Sequence, residues 1–201
     1  MKKFLTFVVA VLATASVAHA QFGIIGGLNF SGANHDASTL IKEAKNVTLY
    51  HAGVAFKMDL PLGFVLQPEL TYQVKGVKVE SVSSVNDFNF KNGYIELGAG
   101  VQWGPDLLIA RPFVLAEPFI GYLVNPDKEI TGVKDVTTKL EYGIDLGGGV
   151  ELFNHVQLSV QWFKNLGKLV NGSASSTSDD WNEVKDLKSY QGVRVTLGIF
   201  F

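Results

Sequence analysis

The 201-residue sequence contains no cysteine. Disulfides and thiolate metal sites are therefore excluded, and a chain exported without them must be held by packing and strand pairing. Charge is sparse: 18% of residues are charged and the formal net charge is −2. A chain with no basic excess lacks the electrostatic footprint of a nucleic-acid binder. Long apolar runs are missing too. The continuous one, residues 4–13, is half of the roughly 20 residues that a spanning helix requires. Proline is scarce at six residues, and two of them fall in short glycine-containing stretches that read as turns, Pro61-Leu62-Gly63 and Gly104-Pro105-Asp106.

The short apolar run has a different meaning. Lys2 and Lys3 precede it, and Ala18-His19-Ala20 follows it with small-x-small spacing. This predicts a cleaved signal peptide over residues 1–20 and an exported domain over 21–201. Without Lys2 and Lys3, 15 basic residues face 19 acidic ones.

Glycine (21 residues) and aromatics (11%) are plentiful, and apolar residues are dispersed at every second position. That period is a strand period. Eight alternating stretches are predicted: residues 22–31, 47–60, 64–79, 88–103, 111–124, 137–153, 156–163 and 188–201. Residues 38–45 are expected to make a short helix capped by Ser38. Pro68 interrupts the third stretch and predicts a bulge. Connections alternate long and short. The fold class is all-β: an eight-stranded antiparallel up-and-down transmembrane barrel with short periplasmic turns and four long external loops. Tyr50, Tyr72, Trp103, Tyr122, Tyr142, Trp162 and Phe201 fall on the outward face near strand ends, where an aromatic girdle belongs.

The opposite face carries Lys57, Asp59, Glu69, Lys75, Glu96, Arg111, Glu117, Asp145, Glu151 and Arg194. A lysine or arginine on the lipid face costs about 2–4 kcal/mol at midplane, so this face lines the lumen. An eight-stranded barrel is just wide enough inside for side chains to fill. A structural charge network is expected from Lys57, Glu69, Glu96, Arg111, Glu117, Asp145 and Arg194. In it, Arg111 and Arg194 pair with Glu69, Glu96, Glu117 or Asp145. Gly98, Gly100, Gly147 and Gly149 make room on the same face.

Catalytic chemistry is not expected. Carboxylates occur as in a glycosidase pair, but with basic partners and no cleft. His51 faces the lumen alone, and His35 and His155 fall outside strands, so no metal spacing results. His155 and Ser159 have the residue types of a hydrolase without the mutual geometry. Gly147-Gly148-Gly149 lacks the Lys-Ser/Thr of a phosphate loop. Asp179, Asp180 and Glu183 beside Trp181 read as a solvated loop. No cofactor is expected. Beside a surface-interaction or structural role through the long loops stand two alternatives: a narrow channel for small solutes, and a soluble lipocalin-like binder. The latter needs apolar residues inside, the reverse of the charge pattern.

Several stretches carry a family likeness: LQPELTYQVKG (66–76), YIELGAG (94–100), RPFVLAEPFIGYL (111–123), DLGGGVEL (145–152) and GVRVTLGIFF (192–201). Together they resemble the small outer-membrane β-barrel proteins of Bacteroidetes, labelled "porin family" or "outer membrane protein beta-barrel domain". Glu117 stands where the family has glycine, and Gln161-Trp162 where it has arginine-tyrosine. The resemblance implies residence in the cell outer membrane, with outer-membrane lipid as the surrounding partner, and no defined substrate. The terminal Phe201 resembles the signal read by the barrel assembly machinery, with Thr196 where that signal often has glycine. The long loops leave room for an extracellular partner, and nucleic acid is not expected as one.

Overall fold

The computed structural model describes residues 20–35, 41–45, 47–81, 88–126, 139–167 and 187–201. They form nine strands: β1 (Ala20–His35), β2 (Ile41–Lys45), β3 (Val47–Asp59), β4 (Phe64–Ser81), β5 (Phe88–Trp103), β6 (Ala110–Asn125), β7 (Leu140–Leu152), β8 (Val156–Asn165) and β9 (Leu187–Phe200). Neighbours pair antiparallel in the order β4-β3-β1-β9-β8-β7-β6-β5, and β5 returns to β4. The sheet thus closes on itself as an eight-stranded barrel. β2 and β3 are successive segments that both run along β4.

Closure is required by the alternation. β6 shows it most clearly: from Arg111 to Leu123 buried and exposed residues alternate without a break, with Pro112, Val114, Pro118, Ile120 and Tyr122 outside. A strand whose apolar face is outermost has no aqueous environment that suits it, and closure also leaves no free edge. The seam joins the first and last strands over a long register, from Gly23↔Phe200 to Asn34↔Ser189. The Phe201 amide donates to the Phe22 carbonyl at 2.8 Å.

Two expectations are corrected. Residues 41–45 are strand, because β4 runs on to Ser81 and offers them a paired edge; residues 38–40 lie outside the described set. Pro68 makes no bulge. The β3–β4 register is the same at Ala55↔Glu69 and Met58↔Leu66, and the β4–β5 register runs through Pro68↔Ala99. The strand bypasses proline's missing donor by leaving a gap in pairing opposite it, without slipping.

The short connections gather at one end. Pro61–Gly63 is a single 3-10 turn with Leu62 at φ 66° and Gly63 at φ 78°. A methyl group on Gly63 would lie 2.7 Å from the Gly104 carbonyl, so this turn rests on the next one. Leu107 and Ala110 exchange hydrogen bonds of 3.0 and 3.1 Å around Leu108 at φ 51°. Phe153 and Asn154, at φ 53° and 58°, are the central residues of a left-handed turn in the three-residue connection between β7 and β8, closed by the His155 amide donating to the Leu152 carbonyl at 3.0 Å. β7 ends at Leu152, so Phe153 belongs to the turn and not to the strand as expected. Left-handed backbone in a leucine or phenylalanine costs about 1–2 kcal/mol.

Candidate functional site: the barrel interior

The lumen is filled in three tiers. The middle one is centred on Arg194, which β9 projects inward between the outward Val193 and Val195. Its guanidinium reaches carboxylates from four other strands. Nη1 lies 3.0 Å from Asp145 Oδ2, 3.6 Å from Glu69 Oε1 and 4.0 Å from Glu117 Oε1, and Nη2 lies 3.4 Å from Glu96 Oε2. With its amide turned so that oxygen faces the arginine, Gln73 accepts from Nη2 at 3.1 Å and Nη1 at 3.3 Å. Beside it, His51 meets Asn29 Oδ1 through Nδ1 and Thr196 Oγ1 through Nε2, both at 3.0 Å. These two contacts occupy both ring nitrogens, so the lone histidine is a satisfied packing residue.

The tier toward the long loops is built on Lys75. Its ammonium pairs with Glu96 at 2.5 Å and Glu141 at 3.1 Å, and donates to Asn165 Oδ1 at 3.3 Å. It also stands over the Phe119 ring, 4.4 Å from the centroid. Asn165 donates in turn to Glu141, and Tyr94 and Tyr190 pack edge to face. The tier toward the short turns joins Lys57 to Glu151 at 2.5 Å, and Arg111 to the same Glu151 at 3.4 Å. Arg111 Nη1 also donates to Gln102 Oε1 at 3.0 Å, and Gln102 donates to Gln67 at 2.8 Å. Phe200, Ile25 and Ala55 pack below Lys57 as a small apolar floor.

All seven residues of the expected network line the lumen and are buried. Arg194 has the four predicted carboxylates around it. Arg111 does not share them; its carboxylate is Glu151, its direct cross-strand neighbour. Glu141 is a partner that the expected network lacks, although it alternates with the outward Leu140 and Tyr142. Asp59 is exposed at the lumen mouth, where it lines a cavity of about 480 Å³ together with Lys57, Arg111, Glu151 and Asp106. The glycines do make room: a methyl group on Gly98 would collide with Glu117 and sit 3.1 Å from Glu69 Cγ, and one on Gly149 would meet Phe113 at 2.7 Å.

Other candidates are placed as follows. His155 stands in an exposed turn with Nδ1 on the Phe153 carbonyl, while Ser159 is buried in the lumen. Among the described residues no group of three or more metal-ligating side chains forms. Asp179, Asp180, Trp181 and Glu183, like His35's side chain and residues 1–19, lie outside the described set.

The model of the family described as "Outer membrane protein beta-barrel domain" matches residues 14–171. Among solved structures, the barrel is similar to Neisserial surface protein A, with a TM-score of 0.50 and 13% identity over 91% of this chain and 99% of that one. A major outer membrane protein from Thermus thermophilus aligns at a TM-score of 0.37 and 13% identity, over 90% of this chain and 99% of the other. LpxR from Salmonella typhimurium aligns at a TM-score of 0.37 and 9% identity, over 91% of this chain and 100% of the other. No curated protein matches the sequence.

Proposed function

Because this chain belongs to the outer membrane protein beta-barrel domain family and resides in the cell outer membrane, we propose that it is a plugged barrel whose role is structural or exercised through its long external connections. The supporting observation is the Arg194 cross-brace: one guanidinium from β9 gathers carboxylates of β4, β5, β6 and β7 in the middle of the lumen. The lumen charges pack the interior; they do not catalyse, and no cofactor enters. In planar bilayers the purified protein should give no reproducible open state. A stable unitary conductance would establish the second reading, a narrow passage for small solutes. That reading draws on Gln157 Oε1, Ser159 Oγ and Gln161 Oε1, buried along β8 without a protein partner, where water could file past.

The finer kinship belongs to the same proposal: the stretches quoted above support membership of the small Bacteroidetes barrels of the "porin family". So does its biogenesis. Residues 1–20 act as the export signal, the assembly machinery reads Phe201, and surface-exposed loops take an extracellular partner. Protease added to intact cells should cut between strands β6 and β7 or β8 and β9 and leave the heat-modifiable barrel core intact. Deleting Phe201 removes one seam hydrogen bond but should strongly lower the assembled fraction; unchanged assembly would remove Phe201 from this role.

A further inference from the structure

We propose that the short-turn end of the barrel is a lipid-contacting collar: the apolar side chains on its turn tips reach among the acyl chains of the adjoining leaflet, while the turn backbone stays at the headgroup level. Every corner of this end presents a large apolar side chain. Leu62 is 87% exposed at the β3–β4 turn, Leu108 fully exposed at the β5–β6 turn, Phe153 68% at the β7–β8 turn, and Phe201 69% at the β9–β1 seam.

Three of these four occupy left-handed backbone: Leu62, Leu108 and Phe153. Glycine, asparagine and aspartate are the residues that adopt it at low cost. The chain uses asparagine for this at the adjacent position, Asn154. Strained backbone is thus kept at three separate turns, each time with an apolar side chain projecting outward. In water both choices are unfavourable; in hydrocarbon the side chain is favourable and offsets the strain.

The occupant is lipid because the tips continue a surface that already faces lipid. Leu62 adjoins the outward Phe64, Phe153 adjoins the outward Leu152, and Phe201 extends the Leu197–Ile199 stripe. The girdles at the two ends also differ. Tyr50, Tyr72, Tyr122, Tyr142 and Trp162 ring the long-loop end; Phe22, Phe56, Phe64 and Trp103 ring the short-turn end. A tyrosine hydroxyl favours the headgroup interface, whereas phenylalanine has no polar tip to keep there. Asp59, Asp106 and Asn154 line the cavity at the lumen mouth, which Leu62, Phe64 and Trp103 border as well. The result is a wet centre within an apolar rim.

The chain lacks cysteine, so single spin labels can be placed on Leu108→Cys and, as an axial reference, Asp106→Cys. In phospholipid vesicles, collision with oxygen and with a water-soluble nickel chelate gives the depth of each label. The expected result is oxygen dominance at 108 and chelate dominance at 106. Chelate dominance at 108 overturns the proposal. So does a label at 108 that is shielded from both reagents in isolated outer membranes but open to the chelate in pure lipid, since a protein would then cover the rim. A combined Leu62→Asn, Leu108→Asn, Phe153→Asn variant, whose residues suit the backbone better, should keep its heat-modifiable band. A label on Ile109→Cys should then move from oxygen to chelate dominance in that variant. An unmoved label would show that these tips do not set the depth.

Discussion

Arg194 is the residue on which the interior depends most. It is 2% exposed and stands among four carboxylates. Removing one side of a buried charge group leaves the other uncompensated, at about 3–5 kcal/mol. Arg194→Met should therefore lower the urea midpoint of the heat-modifiable band, and adding Asp145→Asn and Glu117→Gln should recover part of the loss. Glycines separate in a similar test. Gly98→Ala pushes a methyl into the Glu117 carboxylate and should destabilise by about 1–3 kcal/mol. Gly26→Ala, whose nearest neighbour would be the His51 carbonyl at 3.4 Å, should stay within about 0.5 kcal/mol of the parent. At this scale the sequence showed which residues face inward, since alternation alone decides it. It did not show that Arg111 pairs with Glu151 or Lys75 with Glu141. The first depends on register, since the long β6–β7 connection hides the offset that puts Arg111 opposite Glu151, and the second on a contact across the lumen.

A strand of this barrel is defined by what its two faces meet. Leu97 lies midway along β5, outward, between Leu70 and Ile120. Leu97→Arg should cost about 2–4 kcal/mol in folding into vesicles, whereas Leu97→Ile should be close to neutral; equal midpoints for all three would place this face away from hydrocarbon. Alternation places seven of the eight barrel strands to within three residues, β9 to within one at each end, whereas β1 runs four residues past its expected end, to His35. The failures have local causes. The pattern in residues 38–45 is consistent with a helix, and only the overhang of β4 converts residues 41–45 to strand. Pro68 suggested a bulge because proline cannot donate, yet a missing ladder bond is satisfied here by a gap in β3–β4 pairing at unchanged register.

For the molecule as a whole, closure is the defining event. The strand that closes the sheet, β9, is the last in the chain, and its partner β1 is the first. A chain ending at residue 186 should therefore give no heat-modifiable species, while a chain lacking residues 168–186 but retaining β9 through a short linker should still give one. Alternation, the even strand number and long-short connections made this architecture legible; the three-tier interior was not, because it exists only once strands distant in sequence face one another across the lumen.

The position of Arg194 on that final strand has a consequence for the order of events during folding. Glu69, Glu96, Glu117 and Asp145 all belong to strands made earlier, and their common cation arrives only with β9. In an open sheet of the first strands Lys75 compensates Glu96, but Glu69, Glu117 and Asp145 form a repulsive patch at the place where it must curl inward. It gains little by curling early, and ring closure over a sequence separation of well over a hundred residues is already slow. Docking of β9 removes the repulsion and seals the seam in a single step. Commitment thereby waits for β9, and products truncated before it are left without the contact that would trap them as barrels.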